Sequence, residues 1–193
     1  MSKLYVDEIH PKTAGGIITT TGLGNVKEQL AMLCDGGSYT VPSGTYTSTN
    51  VTALQDFNTT YADLSGSSIV YTPPTGTTMV RYQFMFLCSW RDIYQISHFK
   101  LFVDSNEVTK ARTTIGAENY LAVLQTFDYL LPIGGSADTS TGRQSTWTSP
   151  KTLKMQVRSY SSSYEGLAHS TRHWENASSE EFHIPKLIIT ALG

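Results

Sequence analysis

Charge and cysteine are both scarce in this chain. Asp, Glu, Lys and Arg make up 16% of its 193 residues, the formal net charge is −2, and there are two cysteines. No run of Lys or Arg stands out, so a phosphate-tracking surface for nucleic acid is not expected. No apolar stretch approaches the length that spans a bilayer, so membrane insertion is not expected either. The first residues lack the basic and apolar segments of an export signal. Cys34 follows an apolar stripe and Cys88 lies inside an apolar strand pattern, which points to two buried, reduced thiols, since a bridge needs matched geometry. Three matches to the glycosylation pattern, at Asn50, Asn58 and Asn176, are expected by chance in a chain rich in Thr and Ser.

Catalytic signatures are missing as well. There is no phosphate-binding Gly loop, dinucleotide fingerprint, zincin helix, Cys-pair zinc site or nucleophile elbow. The carboxylates are scattered, and the adjacent pairs Asp7-Glu8 and Glu180-Glu181 look like solvated positions. An enzyme is not expected, and no cofactor, metal or catalytic residue is assigned.

What the chain does carry is period-two alternation. From Met79 to Trp90 the residues Val80, Tyr82, Phe84, Phe86, Cys88 and Trp90 fall on one face of a strand, a core face. The opposite face carries Met85 and Leu87, which either touch a partner subunit or pack under a loop. Phe99, Leu101 and Val103 mark the next strand, and Asp104-Ser105-Asn106-Glu107 signals a hairpin turn. Leu121 to Leu131 and Leu153, Met155 and Val157 keep the same period. Residues 134–142 read as a flexible surface loop. The closing segment Leu187-Ile188-Ile189 is apolar on both faces and predicts a strand covered on both sides. Strands recurring between turn signals describe an all-β, jelly-roll-like sandwich over residues 38–193.

Two segments lie outside that pattern. Residues 1–24 carry too few apolar side chains to offset their ordering entropy, and are either a disordered tail or an extended arm that orders on something else. Residues 25–37 read as one short helix and a Gly turn. Asn25 suits an N-cap, Glu28 completes a capping box, Val26, Leu30 and Leu33 recur at helical spacing, and Gly36-Gly37 ends it.

One polar cluster has candidate chemistry. Tyr160, Tyr164, His169, His173 and Trp174 fall within a Ser-rich segment. His169 and His173 would share a metal on a helix, but the serines and Gly166 favour a loop, with hydrogen-bonded or solvent-facing imidazoles. Exposed rings on a loop suit contact with a sugar or a protein, and these five are the candidate receptor contacts, with packing of Trp174 against the sandwich the alternative.

Leu4-Tyr5-Val6-Asp7-Glu8-Ile9 through Pro11-Lys12-Thr13 to Gly15-Gly16-Ile17-Ile18 resembles the opening of bacteriophage tail-fibre and related virion proteins, notably those of marine podoviruses. Leu64 to Gly76 with Val80, Tyr82 and Phe84, Ile96 to Asp104, and Phe182 to Leu187 resemble a β domain common in such proteins. The resemblance implies a homotrimer with jelly-roll-like heads and N-termini that dock on the particle through Leu4, Tyr5, Val6, Ile9, Ile17 and Ile18. It implies a virion protein made in the bacterial cytoplasm, whose partners are itself, other capsid or tail proteins, and a host surface glycan or protein. No shaft separates arm and head, so a short knob or a capsid decoration (cement) protein fits the length as well as a fibre. A glycan-binding or glycan-degrading adhesin is the rival from another class.

Overall fold

A computed structural model describes residues 25–90, 94–118, 122–172, 175 and 179–193. The expected docking residues Leu4, Tyr5, Val6, Ile9, Ile17 and Ile18, together with His173 and Trp174, lie outside the described residues. The described chain contains fifteen strands and no α-helix. They are β1 (Val26–Leu33), β2 (Ser38–Val41), β3 (Gly44–Thr47), β4 (Gln55–Asp56), β5 (Ala62–Asp63), β6 (Ile69–Tyr71), β7 (Met79–Trp90) and β8 (Tyr94–Val103). There follow β9 (Asn106–Glu118), β10 (Val123–Pro132), β11 (Lys151–Ser159), β12 (Gly166–Ala168), β13 (Ser170–Arg172), β14 (Glu180–Phe182) and β15 (Lys186–Leu192).

Two antiparallel sheets face each other. In the first, β7 is central, with β15 and then β1 on one side and β10 on the other. The short strands β12 and β4 extend the β15 side at the Cys88–Trp90 end of β7. The second sheet runs β9–β8–β11, and β5 and β6 share the far edge of β11. Side chains alternating inward from both sheets form one core, among them Tyr82, Phe84, Phe86, Phe99, Leu101, Met155 and Ile189. The expected all-β, jelly-roll-like sandwich is the fold found. β15 sits inside its sheet, as its two apolar faces predict, and the Asp104 turn takes a left-handed backbone (φ 56°) between β8 and β9.

The helix expected within residues 25–37 is not there; this segment is strand β1. Its buried residues are Glu28, Leu30 and Met32, a period of two, and it zips antiparallel to β15 from Val26↔Leu192 to Leu33↔Lys186. A helix of about ten residues is marginal without packing, whereas a paired strand satisfies its backbone along its length. Glu28 is buried rather than capping. Its carboxylate accepts hydrogen bonds from the Tyr71 hydroxyl (2.8 Å), the Ser43 amide (2.8 Å) and the Ser43 hydroxyl (2.6 Å). It thereby ties β1 to β6 and to the turn between β2 and β3.

Further polar contacts join the layers. The Tyr82 hydroxyl donates to the Ser67 carbonyl at 2.5 Å, and the Trp147 indole donates to the Tyr71 carbonyl at 3.1 Å. Both thiols are free and buried, and burial pushes each up to about 12. Gly66 adopts φ 82°, and a side chain there would meet Val51 at 2.9 Å and the Cys34 sulfur at 3.1 Å, so this close approach needs glycine.

Candidate functional site

Tyr160 follows directly on β11, and its amide donates to the Ile96 carbonyl of β8 at 2.8 Å. The turn from Ser161 to Tyr164 then folds back over β8, where the Tyr164 carbonyl accepts from the Ile96 amide at 3.4 Å. This places four rings in a row. Tyr94 lies 6.4 Å from Tyr164, Tyr164 lies 5.9 Å from Tyr160, and Tyr160 lies 6.0 Å from His98. Tyr160 is 56% and Tyr94 46% exposed. His98 Nδ1 is held by the Thr114 hydroxyl at 3.1 Å.

The row continues along the outer face of the second sheet. Lys100 Nζ sits 4.0 Å over the Tyr61 ring and the Arg158 guanidinium 5.3 Å from it. Lys100 also pairs with Glu107 at 3.1 Å, and Arg112 pairs with the same carboxylate. The hydrogen bond from Arg112 holds the Glu107 carboxyl below its ordinary range. Farther along, burial pushes the Asp63 carboxyl up, but hydrogen bonds from Gln156 and Lys154 more than offset it and leave it lowered. The result is a shallow strip of exposed ring faces beside partly buried cations. Such a strip offers stacking area and hydrogen bonds at low entropic cost, which is the chemistry of sugar or peptide contact.

Two of the five expected receptor contacts, Tyr160 and Tyr164, lie together on this strip. His169 does not join them, and as a receptor contact it is withdrawn. It is 0% exposed, in a left-handed conformation (φ 62°), with its ring edge-on to Phe84 and Phe86 at 6.4 and 6.0 Å. Burial pushes the imidazole down to about 4, with His183 adding slightly and the Ser65 backbone opposing. Of the expected hydrogen-bonded or solvent-facing states, the solvent-facing one does not hold for His169. The segment expected to be a loop here, Tyr160 to Trp174, also contains β12 and β13, and His169 sits between them. Sequence reasoning misses Tyr94 and Tyr61, because Tyr94 comes beside the Tyr160 turn only through the pairing of β8 with β11, and Tyr61 beside Arg158 only through the pairing of β5 with β11.

The first sheet presents a different outer face. β7 contributes Arg81, Gln83, Met85 and Leu87, opposite Leu130, Asp128, Thr126 and Leu124 of β10. β15 adds Ile188 and β1 adds Leu33. Leu124 is 54%, Leu130 46% and Leu33 40% exposed. The charge in the middle is neutralised within the face: Arg81 grips Asp128 through two nitrogens, Nε at 2.9 Å, and Gln83 also donates to Asp128. Among the described residues no three metal-ligating side chains converge, and no helix is long and apolar enough to cross a membrane.

No protein-family model and no curated protein matches this chain. Solved structures with a resembling path come from infectious bursal disease virus. The Gx strain structure covers 98% of this chain at 10% identity with a TM-score of 0.41, and a VP2 subviral particle covers 91% at 7% identity with a TM-score of 0.38. The chain spans less than half the length of those chains, 46% and 45% respectively. At such scores the likeness is distant.

Proposed function

We propose that this chain is a non-enzymatic structural component of a bacteriophage particle, a homotrimer docked through its N-terminal arm. The observation that carries this reading is the contrast between the two outer faces. One is an apolar sheet face whose central charges cancel internally, as a subunit contact requires. The other is a wet strip of rings and cations suited to a transient surface ligand. The N-terminal phrase Leu4 to Ile18 supplies the resemblance to phage tail-fibre openings. In a trimer, three arms dock together, so modest contacts per arm sum to stable attachment. The deciding experiment is to purify particles with the full chain and with residues 2–20 deleted. The expected result is a deleted chain that folds but is absent from particles; equal incorporation of both overturns arm docking.

The rings of Tyr94, Tyr164 and Tyr160 favour a second role, contact with a host surface glycan. Particles carrying Tyr94→Ala with Tyr160→Ala should assemble normally and adsorb at least tenfold more slowly. Unchanged adsorption would remove this role and leave the architectural one standing.

A further inference from the structure

The sandwich is open along one side. The chain leaves the second sheet at β9 and enters the first at β10, and both are edge strands, so their outer edges lie beside one another across an opening. A cleft of about 280 Å³ lies between them. Its floor is apolar, made by Phe86, Phe99, Phe127 and Met155. Lys110, Arg112 and Thr113 stand on the β9 wall, and Gln125 and Tyr129 on the β10 wall.

The opening is built by an irregularity in β9. Val108 pairs with Leu101 and Thr113 with Phe99, so residues 109–112 of β9 stand against Lys100 alone and bow away from β8. β9 and β10 span 13 and 10 residues. Toward the Pro132 end the chain's own loop closes the gap: the Lys110 amide donates to the Ser140 carbonyl, the Gln144 amide to the Pro132 carbonyl and the Tyr129 hydroxyl to the Thr141 carbonyl, while no ladder pairs β9 with β10 among the described residues. Long unpaired edges invite another strand, and a folded protein usually blunts them. Here two such edges flank one slot, so a single extended segment could bond on both sides while seating alternate side chains on an apolar floor.

The sequence contains a segment of matching chemistry. Ile17-Ile18-Thr19-Thr20-Thr21 is five consecutive β-branched residues without charge, bounded by Gly15-Gly16 and Gly22. Such residues favour a pleated strand. Reach decides which chain supplies it. Val26, Leu192, Met79 and Pro132 stand in one row across β1, β15, β7 and β10. A strand added outside β10 lies four spacings from β1, and level with Tyr129 it is about 20 Å from Asn25, at ~4.8 Å per strand and ~3.4 Å per residue. The four residues from Thr21 to Asn25 span at most about 14 Å. A chain's own Ile17–Thr21 therefore falls short of its own slot.

We propose that the slot between β9 and β10 receives residues 17–21 of a second copy of this chain, as an added strand. The inference rests on the self-association proposed above and names one surface that carries it. The experiment mixes two differently tagged full-length variants, Thr19→Cys and Gln125→Cys, under mild oxidation. Cys34 and Cys88 are buried and do not compete. The expected result is a mixed-tag disulfide dimer, at least fivefold more abundant than when Thr19→Cys is mixed with Gln83→Cys, which lies on the outer face of the first sheet. Equal yields for the two pairings overturn the proposal. So does closure within one chain, seen as a reducible monomer of altered mobility in the double variant Thr19→Cys/Gln125→Cys with no mixed dimer. In either case the particle experiment with residues 2–20 deleted remains an independent measure of virion docking.

Discussion

Glu28 shows how a buried carboxylate is tolerated in a sandwich core. Its three donors, Tyr71 and two groups of Ser43, are neutral and fixed, and together they replace water around the carboxylate. Deleting the acceptor strands three donors at once, whereas deleting one donor leaves the carboxylate still held by the other two. Glu28→Ala should therefore cost about 2–4 kcal/mol and Tyr71→Phe about 1–2 kcal/mol, by urea unfolding. A Glu28→Ala cost no larger than that of Tyr71→Phe would mean the carboxylate is not the hub. His169 makes the opposite case, a buried base whose contact with the Ser65 backbone falls short of offsetting its desolvation. Its folded pKa of about 4 lies below the ordinary 6.5. Above pH 6.5 it is neutral in both states and contributes nothing to pH dependence. As pH falls from 6.5 toward 4 the unfolded chain takes a proton that the folded chain refuses, so stability is lost across that window, by at most about 3 kcal/mol. His169→Asn keeps a residue type that tolerates positive φ and removes the titration. Unfolding free energies at pH 7, 5.5 and 4.5 should fall more steeply for the native chain than for the variant; parallel slopes would sink the assignment.

At the scale of elements, legibility followed from how local the determining physics is. β7 could be read from Met79 to Trp90 because its alternation is long and a Pro-Pro-Thr-Gly turn precedes it. The β8–β9 hairpin was legible because Asp104 and Ser105 supply the turn. β1 is ambiguous in the sequence because Val26, Leu30 and Leu33 satisfy a helical period while Leu30, Met32 and Cys34 satisfy a strand period; pairing with β15, more than 150 residues away, decides between them. β12, β13 and β14 are three-residue strands made by tertiary pairing alone, and the site residue His169 was misplaced with them. Tyr160 and Tyr164 were legible as exposed rings, but their neighbour Tyr94 depends on the β8–β11 register. The two periods for β1 separate experimentally. In a helix Leu33 would share the buried stripe with Leu30, whereas in the strand Met32 does, at 3% exposure against 40% for Leu33. Met32→Ala should cost about 2–4 kcal/mol and Leu33→Ala below about 1 kcal/mol. The reverse order would reinstate the helix.

For the whole molecule, the asymmetry of the sandwich limits how copies can meet. The outer face of the second sheet holds the ion pairs Lys154–Asp63 and Lys100–Glu107–Arg112, in which Asp63 and Arg112 remain more than half exposed, and covering those two would cost desolvation that such pairs rarely return. The outer face of the first sheet has Leu124, Leu130 and Leu33 exposed around one Arg81–Asp128 pair, so covering it removes apolar area from water. A closed ring needs each copy to offer two complementary surfaces. The β9–β10 slot and the arm proposed to enter it are one such pair, and the sheet face, which shares β10 with the slot, is a separate contact. Placing carboxylates on the face should separate the two contributions. Leu124→Asp with Leu130→Asp should lower the melting temperature of the isolated head only slightly, because each side chain is already about half exposed. It should lower the average mass in sedimentation by weakening the face contact, with an arm contact remaining. Combined with deletion of residues 2–20, it should give a monomer at micromolar concentration. If the full chain is already a monomer there, or if the combined variant keeps the native mass, copies of this chain do not meet through these surfaces.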